Sequence, residues 1–406
     1  MKKNLIYALM GSLLTISVMV IISADLIDAG GKVTSPTGIA PDRYVYYPGS
    51  EALEPDEIRI IACGTGMPAA RRGQAAACWV FELGNGDKFL FDLGTGSMAN
   101  VASLMIPANY LTKVFASHLH TDHVGDLAPL WAGGWTGGRT VPLEVWGPSG
   151  AREDMGTAYF VDHFLKAYNW DFMTRAAQIN PIPGNIIVHE FDYKGINEII
   201  YEENGVVIRS WPAIHAGDGP VSFSMEWNGY KVVYGGDTFP NNWFIDYAKD
   251  ADIVIHEAFL TAEQLRKYYN QPPSRSVMMN TVIHTSAQAF GKVMSMLEPK
   301  HAIAYHFFNE EGTRYDIYEG IRETYDGPLS MADDMMVWNL TRDGITERMA
   351  VSTDDAWDVA GEAEGLEPDP TRKKEIVWPE LFTQRIDMTE VDKTWLDDYK
   401  KKYNLK

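Results

Sequence analysis

Hydrophobic residues recur along the chain in short runs that suit β-strands. Runs at 58–63, 75–83 and 88–93 come first, and the turn residues GNGD at 84–87 indicate a hairpin between the last two. Later runs predict strands at 111–117, 141–146, 205–211, 221–227, 231–234 and 253–255. The pattern therefore predicts a β-rich domain that begins near residue 58.

Helical spacing of the hydrophobic residues is found between and after these runs. It covers residues 98–108, 151–168, 262–269, 286–296 and 315–325. The strands first follow one another in hairpins and later alternate with helices. This order predicts an α/β fold in which helices lie outside a sandwich of two sheets.

Composition and charge restrict the possible partners. With 406 residues, of which 46% are hydrophobic and 12% aromatic, the chain can bury a large core and is not a disordered protein. Its 35 basic and 55 acidic residues give a formal net charge of -20. Such a charge repels polyanions at long range unless a local basic groove intervenes, so nucleic acid is a disfavoured partner.

The densest chemical signal is the segment SHLHTDHVGD at 117–126, which begins where the strand at 111–117 ends. Four side chains that can bind a metal fall within six positions there, namely His118, His120, Asp122 and His123. Imidazole nitrogens with a carboxylate oxygen suit zinc, and also iron or manganese. The segment therefore predicts a metal site.

Three further polar residues stand where other hydrophobic runs end. They are His215 after WPAI, Asp237 after VYGG and His306 after AIAY. A side chain at the end of a strand is held by the sheet and points into the loop layer, which suits a pre-organised site. With the first cluster they make seven candidate ligands.

The N-terminus predicts export. Lys2 and Lys3 precede an apolar stretch at 5–22, and residues 1–24 resemble a signal peptide or, if uncleaved, a membrane anchor. Either alternative places the rest of the chain in the periplasm or outside the cell. We divide that rest into an irregular lead-in at 25–55, a main domain at 56–350 and a charged C-terminal extension at 351–406.

The chain has two cysteines, Cys63 and Cys78, on two successive predicted strands. They could form a cross-strand disulfide, which an oxidising compartment permits, or remain two buried thiols. Neither lies in a motif that would make it a metal ligand.

The motif HxHxDH at 118–123, taken with His215, Asp237 and His306, resembles the full ligand set of the metallo-β-lactamase-fold hydrolases. The resemblance spans residues 56–350 and implies an αββα sandwich of two mixed sheets that carries two divalent metal ions, with zinc expected first. It also implies how the ligands divide: His118, His120 and His215 on one metal, Asp122, His123 and His306 on the other, and Asp237 bridging them.

Two further segments narrow the branch within that family. IHEA at 255–258 and IHTSAQ at 283–288 are similar to motifs of the ribonuclease Z group, which also contains metallo-arylsulfatases and small phosphodiesterases. The resemblance implies that His284 donates a proton to the leaving group and that Glu257 fixes the tautomer of His284. We count Asp122 with these two as a catalytic residue.

The segment LWAGGWTGGR at 130–139 predicts a substrate-binding wall. Its two tryptophans, Trp131 and Trp135, could form an aromatic surface, and Arg139 could face an anionic group. The alternative is a packed loop with an arginine that faces solvent.

These features together predict an exported dinuclear-metal hydrolase that cleaves a sulfate or phosphodiester-type ester of a small molecule. The first alternative is a ribonuclease Z-like phosphodiesterase or endoribonuclease. Only 21 residues separate His215 from Asp237, so the long arm that many ribonuclease Z enzymes carry there has no room, and we disfavour tRNA 3′ processing. Lactone or β-lactam hydrolysis and a non-catalytic metal-binding role are weaker alternatives. A homodimer is left open.

Overall fold

The hydrophobic runs form sixteen strands in the computed structural model, which describes residues 44–352 and 380–405. These strands are β1 (Val45–Tyr46), β2 (Ile58–Gly64), β3 (Cys78–Leu83), β4 (Lys88–Leu93), β5 (Lys113–Phe115), β6 (Leu143–Pro148), β7 (Ile186–Phe191), β8 (Glu198–Glu203), β9 (Val206–Pro212), β10 (Val221–Trp227), β11 (Tyr230–Tyr234), β12 (Ile253–Glu257), β13 (His301–Tyr305), β14 (Leu329–Met331), β15 (Met336–Thr341) and β16 (Gly344–Ala350).

Both sheets are mixed. The first has the order β1-β16-β15-β2-β3-β4-β5-β6-β7, antiparallel around β2, β3 and β4 and parallel from β4 to β7. The second has the order β14-β13-β12-β11-β10-β9-β8, parallel from β11 to β14 and antiparallel from β8 to β11. Because β11, β12 and β13 are parallel neighbours, their carboxyl ends meet at one edge.

The helices of the described residues lie mainly in the connections between strands. They are α1 (Ser97–Ser103), α2 (Thr121–Val124), α3 (Leu127–Thr136), α4 (Thr157–Ala167), α5 (Asn169–Ala176), α6 (Asn242–Tyr247), α7 (Ala262–Tyr269), α8 (Pro273–Met278), α9 (Ala287–Leu297), α10 (Glu311–Arg322), α11 (Glu380–Thr383) and α12 (Thr389–Tyr403). Short 3-10 turns add Ala108–Tyr110, Glu153–Met155 and Ile182–Gly184, and a π-helical turn covers Met279–Ile283.

The main core lies between the two sheets and is rich in aromatic rings. Trp79 of β3 contacts Tyr305 of β13 with ring centroids 5.6 Å apart, and Phe91 of β4 contacts Phe223 of β10 at 5.7 Å. Separate buried clusters join the outer face of each sheet to helices, for example to α9 and α10 on the second sheet. The predicted αββα sandwich of two mixed sheets is confirmed.

The element boundaries differ from the sequence pattern in places that have local causes. The helix expected at 98–108 ends at Ser103, because Met105 takes a positive φ of 58° and Pro107 follows it. The helix expected at 151–168 begins only at Thr157. β8, which the pattern did not predict, has mostly exposed residues and so lacks the apolar alternation of a half-buried strand.

Cys63 and Cys78 form a disulfide that joins β2 to β3. The predicted signal peptide or anchor at 1–24 and most of the predicted lead-in lie outside the described residues, as does the first half of the C-terminal extension. Among the helices that the structure describes, none combines the length and the apolar character needed to cross a membrane.

Candidate metal centre

The seven candidate ligands come together at one edge of the sandwich, each a few residues after a strand ends. They follow β5, β9, β11 and β13, and within the first cluster Asp122 and His123 lie on the short helix α2. Gly236, just before Asp237, takes φ 59°, and a Cβ there would lie 2.7 Å from Cβ of Ser117. Glycine thus lets the loops after β5 and β11 touch.

Three imidazoles form the first group. Nε2 of His118 lies 3.0 Å from Nδ1 of His120, and Nε2 of His215 lies 3.3 Å from the same atom. Nδ1 of His215 is 3.3 Å from the carbonyl of Ile283, which can only accept, so the proton of His215 lies on Nδ1 and Nε2 keeps its lone pair. The three facing nitrogens lie close enough together to share one metal ion.

The protonation states of these imidazoles also suit a metal. Burial lowers the pKa of His118 well below its usual range and lowers the pKa of His215 to about 4. Burial lowers the pKa of the more exposed His120 as well. All three imidazoles are therefore neutral at pH 7, which is the form that binds a metal ion.

Two histidines and two carboxylates form the second group. Oδ1 of Asp237 lies 3.3 Å from Nε2 of His123 and 3.3 Å from Nε2 of His306. Oδ2 of Asp122 lies 3.4 Å from Nε2 of His306. Oδ2 of Asp237 lies 3.7 Å from Nε2 of His215 in the first group, so the Asp237 carboxylate faces both groups.

The buried atoms of the second group are short of partners. Nε2 of His123 and Oδ1 of Asp237 are buried, and neither has a hydrogen-bond partner among the described residues. Burial alone would raise the pKa of Asp237, but His306 and His123 hold it well below its usual range, so the carboxylate is charged. Buried polar atoms without partners, and a buried charge, lower the stability of a fold. A divalent ion would give the two atoms a partner and would neutralise the charge.

Asp92, at the end of β4, supports the second group and is not among the residues that the sequence pattern predicts for the site. Its Oδ2 lies 2.6 Å from Nδ1 of His123, and it also accepts hydrogen bonds from the Tyr234 hydroxyl at 2.6 Å and the Ser117 hydroxyl at 2.7 Å. The carboxylate thereby fixes the His123 ring so that Nε2 points into the site. Asp92 also stands where a strand ends, just before the turn GTG at 94–96.

Glu257 and His284 form a buried pair beside the two groups. Nδ1 of His284 lies 2.7 Å from Oε2 of Glu257, and the His284 ring stacks on Phe259 with centroids 3.8 Å apart. Burial lowers the pKa of His284 to about 3, and burial with nearby Asp237 raises the pKa of Glu257 well above its usual range. The hydrogen bond to Glu257 orients the His284 ring through Nδ1, and the ring lines the cleft beside Asp122 and Asp237.

Trp131, Trp135 and Arg139 do not line the site. All three are at most 1% exposed, and both indoles donate to backbone carbonyls of the loop at 180–184. The Arg139 guanidinium donates to the carbonyls of Leu130 and Trp131 and to others nearby, and it packs where Gly134 has no side chain. The prediction that these residues form a substrate-binding wall is wrong. Trp131 and Trp135 of helix α3 pack into a buried cluster with Ala176 of α5.

Two clefts open onto the site and share His120, His215 and Ala216 as a border. The first, here called the helix cleft, has a volume of about 280 Å³ and is also lined by Asp122, Asp237, Tyr269, Arg275 and His284. The second, here called the glycine cleft, has a volume of about 270 Å³ and is also lined by Ser149 and by residues 217–220. A substrate can therefore reach the clustered residues from either cleft.

Comparison with known proteins identifies relatives of the chain. Ribonuclease Z of Mycobacterium marinum is 31% identical over 205 residues, which cover 49% of this chain and 70% of that protein. Ribonuclease Z of Mycolicibacterium gilvum is 29% identical over 206 residues, covering 49% and 68%. The metallo-beta-lactamase fold protein YhfI of Bacillus subtilis, at 17% identity, covers 70% of this chain and 100% of its own with a TM-score of 0.53, which shows a shared fold.

The expectation that nucleic acid is a disfavoured partner is wrong, because the relatives are ribonucleases, whose substrate is RNA. The expectation rested on the net charge of the whole chain, whereas binding depends on the groups that face the ligand. In the helix cleft these groups include Arg275 and the candidate metal ligands. A negative total charge does not exclude a polyanion from such a cleft.

A family model described as the metallo-beta-lactamase superfamily matches residues 71–275, about half of the 406 residues. The matched range contains six of the seven clustered ligand candidates and ends before His306. The two mixed sheets with outer helices and the fold shared with YhfI agree with that match. The chain belongs to the metallo-beta-lactamase superfamily of metal-dependent hydrolases.

Proposed function

We propose that this protein is a metal-dependent phosphodiesterase that hydrolyses a phosphodiester bond of RNA. The observation that carries the proposal is the position of Asp237, whose two carboxylate oxygens face two separate groups of ligands. That arrangement suits two divalent ions that clamp one tetrahedral anionic ester. The similarity to ribonuclease Z supports a phosphodiester as that ester.

The residues divide as the geometry groups them. His118, His120 and His215 would hold one ion, Asp122, His123 and His306 the other, and Asp237 would serve both. Histidine and carboxylate ligands without a thiolate suit zinc, with manganese or iron as alternatives. When bound, two such ions supply positive charge for the ester oxygens and activate water as the nucleophile.

His284 and Glu257 would handle the proton of the leaving group. An alkoxide is a poor leaving group unless it is protonated as the bond breaks, and an imidazole outside the ligand set is a natural donor. His284 lines the helix cleft next to Asp122 and Asp237, while Glu257 holds its Nδ1. Glu257 is itself fixed, because its Oε1 accepts from the backbone N–H of Thr238 at 2.8 Å.

The test is a hydrolysis panel with the zinc-loaded protein and a chelated sample of the same preparation. The substrates are a single-stranded RNA, a tRNA precursor, an aryl phosphodiester, an aryl sulfate and a lactone. We expect metal-dependent cleavage of the aryl phosphodiester and of RNA. Cleavage of the aryl sulfate alone would contradict the proposal in favour of a sulfatase. Cleavage of the lactone alone would contradict ester cleavage at phosphorus altogether.

We also propose that the protein is exported. Support comes from the signal-like sequence at 1–24 and from the disulfide between Cys63 and Cys78, since such bonds persist mainly in oxidising compartments. Cell fractionation with N-terminal sequencing tests this. Mature protein that begins near Asp25 in the periplasm or medium, or membrane-bound protein with Met1 retained, is expected, and cytoplasmic protein with Met1 intact contradicts it.

A further inference from the structure

One wall of the helix cleft is built by a single segment that ends at His284. Helix α7, helix α8 and the π-helical turn Met279–Ile283 follow one another between β12 and His284. Single π-helical turns are rare and are frequently found at functional sites. The segment therefore connects the cleft wall directly to the proposed proton donor.

Arg275, on α8, is the cation of that wall. Among the residues that line the helix cleft it is the one lysine or arginine. It is exposed, and no ion pair or side-chain hydrogen bond joins it to another described residue. In a chain of net charge -20, most arginines can find a carboxylate, so a cation left facing the cleft is available to an anionic ligand.

The two clefts differ in charge in a way that gives the substrate a direction. The glycine cleft is lined by no lysine or arginine among the described residues, and its loop carries Asp218. The helix cleft carries both Arg275 and His284, and its two carboxylates, Asp122 and Asp237, belong to the candidate metal centre. A phosphate next to the scissile one would thus meet a guanidinium on the side of the leaving group and a carboxylate on the other side.

We infer that Arg275 forms a phosphate subsite for the leaving-group strand of the substrate, an inference that rests on the proposed function. The planar guanidinium suits two phosphate oxygens at once, whereas a lysine would offer one charge centre. Tyr269, which lines the same cleft and is 39% exposed, offers a ring against which the base of that strand can stack. The subsite makes the enzyme prefer a chain of phosphodiesters over an isolated ester.

The experiment compares the zinc-loaded wild type with Arg275→Ala, Arg275→Lys and the control Arg266→Ala. Arg266 is on α7 of the same segment, and it does not line the helix cleft. Each protein is given a short RNA whose scissile bond and phosphate-bearing product have been identified. Two further RNAs replace one charged phosphate by an uncharged methylphosphonate, either on the leaving-group side or on the other side of the scissile bond. An aryl phosphodiester, which has no neighbouring phosphate, completes the set.

We expect Arg275→Ala to lower kcat/KM on the unmodified RNA about 10-fold, chiefly through KM, since a hydrogen bond to a charged group is lost. Arg275→Lys should retain part of the preference, and Arg266→Ala should behave as wild type. The leaving-side methylphosphonate should cost the wild type about 10-fold but leave Arg275→Ala unchanged, because both changes remove the same contact. Activity on the aryl phosphodiester should be the same in all four proteins.

The subsite would be overturned if the leaving-side methylphosphonate lowered kcat/KM equally in wild type and Arg275→Ala. It would also be overturned if Arg275→Ala removed the effect of the methylphosphonate on the other side of the scissile bond, or if it lowered kcat/KM on the aryl phosphodiester as much as on RNA. A wild type that cleaves the aryl phosphodiester but no RNA would overturn the proposed substrate, and the subsite with it. Thermal unfolding of the variants, expected to match the wild type, shows that the differences arise in binding.

Discussion

Two neighbouring segments of the chain, 117–126 and 127–139, both carry residues that look functional, and the fold uses them in opposite ways. The first sends three histidines and a carboxylate into the candidate metal centre. The second buries two tryptophans and an arginine away from it. The two segments are adjacent in sequence and differ in where they sit on the fold.

The two segments differ in function because they lie at different distances from the end of strand β5. The first segment begins two residues after that strand, where side chains leave the sheet at its edge. The second begins with helix α3, whose apolar residues recur at helical spacing and therefore face a core. Trp131 and Trp135 are four residues apart and lie on one face of the helix. Position relative to a strand end thus says more about function than residue type does.

Among substitutions that test the metal centre against the buried helix α3, Asp237→Ala should have the largest effect on activity. Removing the carboxylate that faces both ligand groups should lower metal content and reduce hydrolysis of every ester to the background rate. Elemental analysis and the hydrolysis panel measure both. Asp246→Ala, an exposed carboxylate on α6, is the matched control and should change neither. Full metal content in Asp237→Ala would show that the residue is not a ligand.

His284→Ala should have the next largest effect, and it separates proton donation from metal binding. The variant should keep its metal and lose roughly 10²- to 10⁴-fold in rate on esters with poor leaving groups, since it lacks the proton donor. Esters with good leaving groups should lose much less. Rates over a series of leaving groups, measured beside metal content, check this. Loss of metal, or equal losses across the series, would assign His284 to the structural support of the site.

Arg139→Met tests whether the segment 127–139 serves stability rather than substrate binding. The guanidinium is buried, and burial lowers its pKa to about 10, while its N–H groups donate to the carbonyls of Trp131 and Pro183. The substitution should lower the free energy of unfolding by about 3 kcal/mol, because these hydrogen bonds from a charged donor are lost in the core. Chemical denaturation measures this. Metal content and kcat of the folded protein should be unchanged, and a raised KM with normal stability would restore the substrate-wall prediction.

Asp92→Asn should have the smallest effect of the four. The amide keeps the size of the carboxylate but removes the charge that orients His123, so metal affinity should fall by about 10- to 100-fold. Competition with a chelator of known affinity gives the value. Asp126→Asn, a carboxylate in the same region whose Oδ2 accepts from the backbone of Met98, serves as the control. Equal affinities in the two variants would remove Asp92 from the metal centre.

Much of this picture could be predicted from the sequence, because strand ends leave a local pattern. The two sheets follow from the order of hydrophobic runs, and the seven clustered residues each follow such a run. Asp92 instead lies within the last two residues of a run, beside a glycine turn, so the sequence pattern does not single it out. Arg275 could not be predicted, since its place in the cleft depends on how α7, α8 and the π-helical turn fold back over the site.

The net charge of the chain likewise does not describe the charge inside the helix cleft. A net charge of -20 is a property of the whole sequence, whereas the groups that line the helix cleft are selected by the fold. Only the three-dimensional arrangement shows that Arg275 and the candidate metal ligands face the same space. Sequence totals predict long-range repulsion and say little about a single cleft.

The most direct test of the account is the number of metal ions bound per chain. Seven clustered candidate ligands exceed what one tetrahedral zinc can use, and Asp237 faces both groups. Elemental analysis of the wild-type protein, prepared without chelator and equilibrated with zinc, should give close to two ions per chain. A value near one that does not rise when more zinc is added would contradict the dinuclear centre.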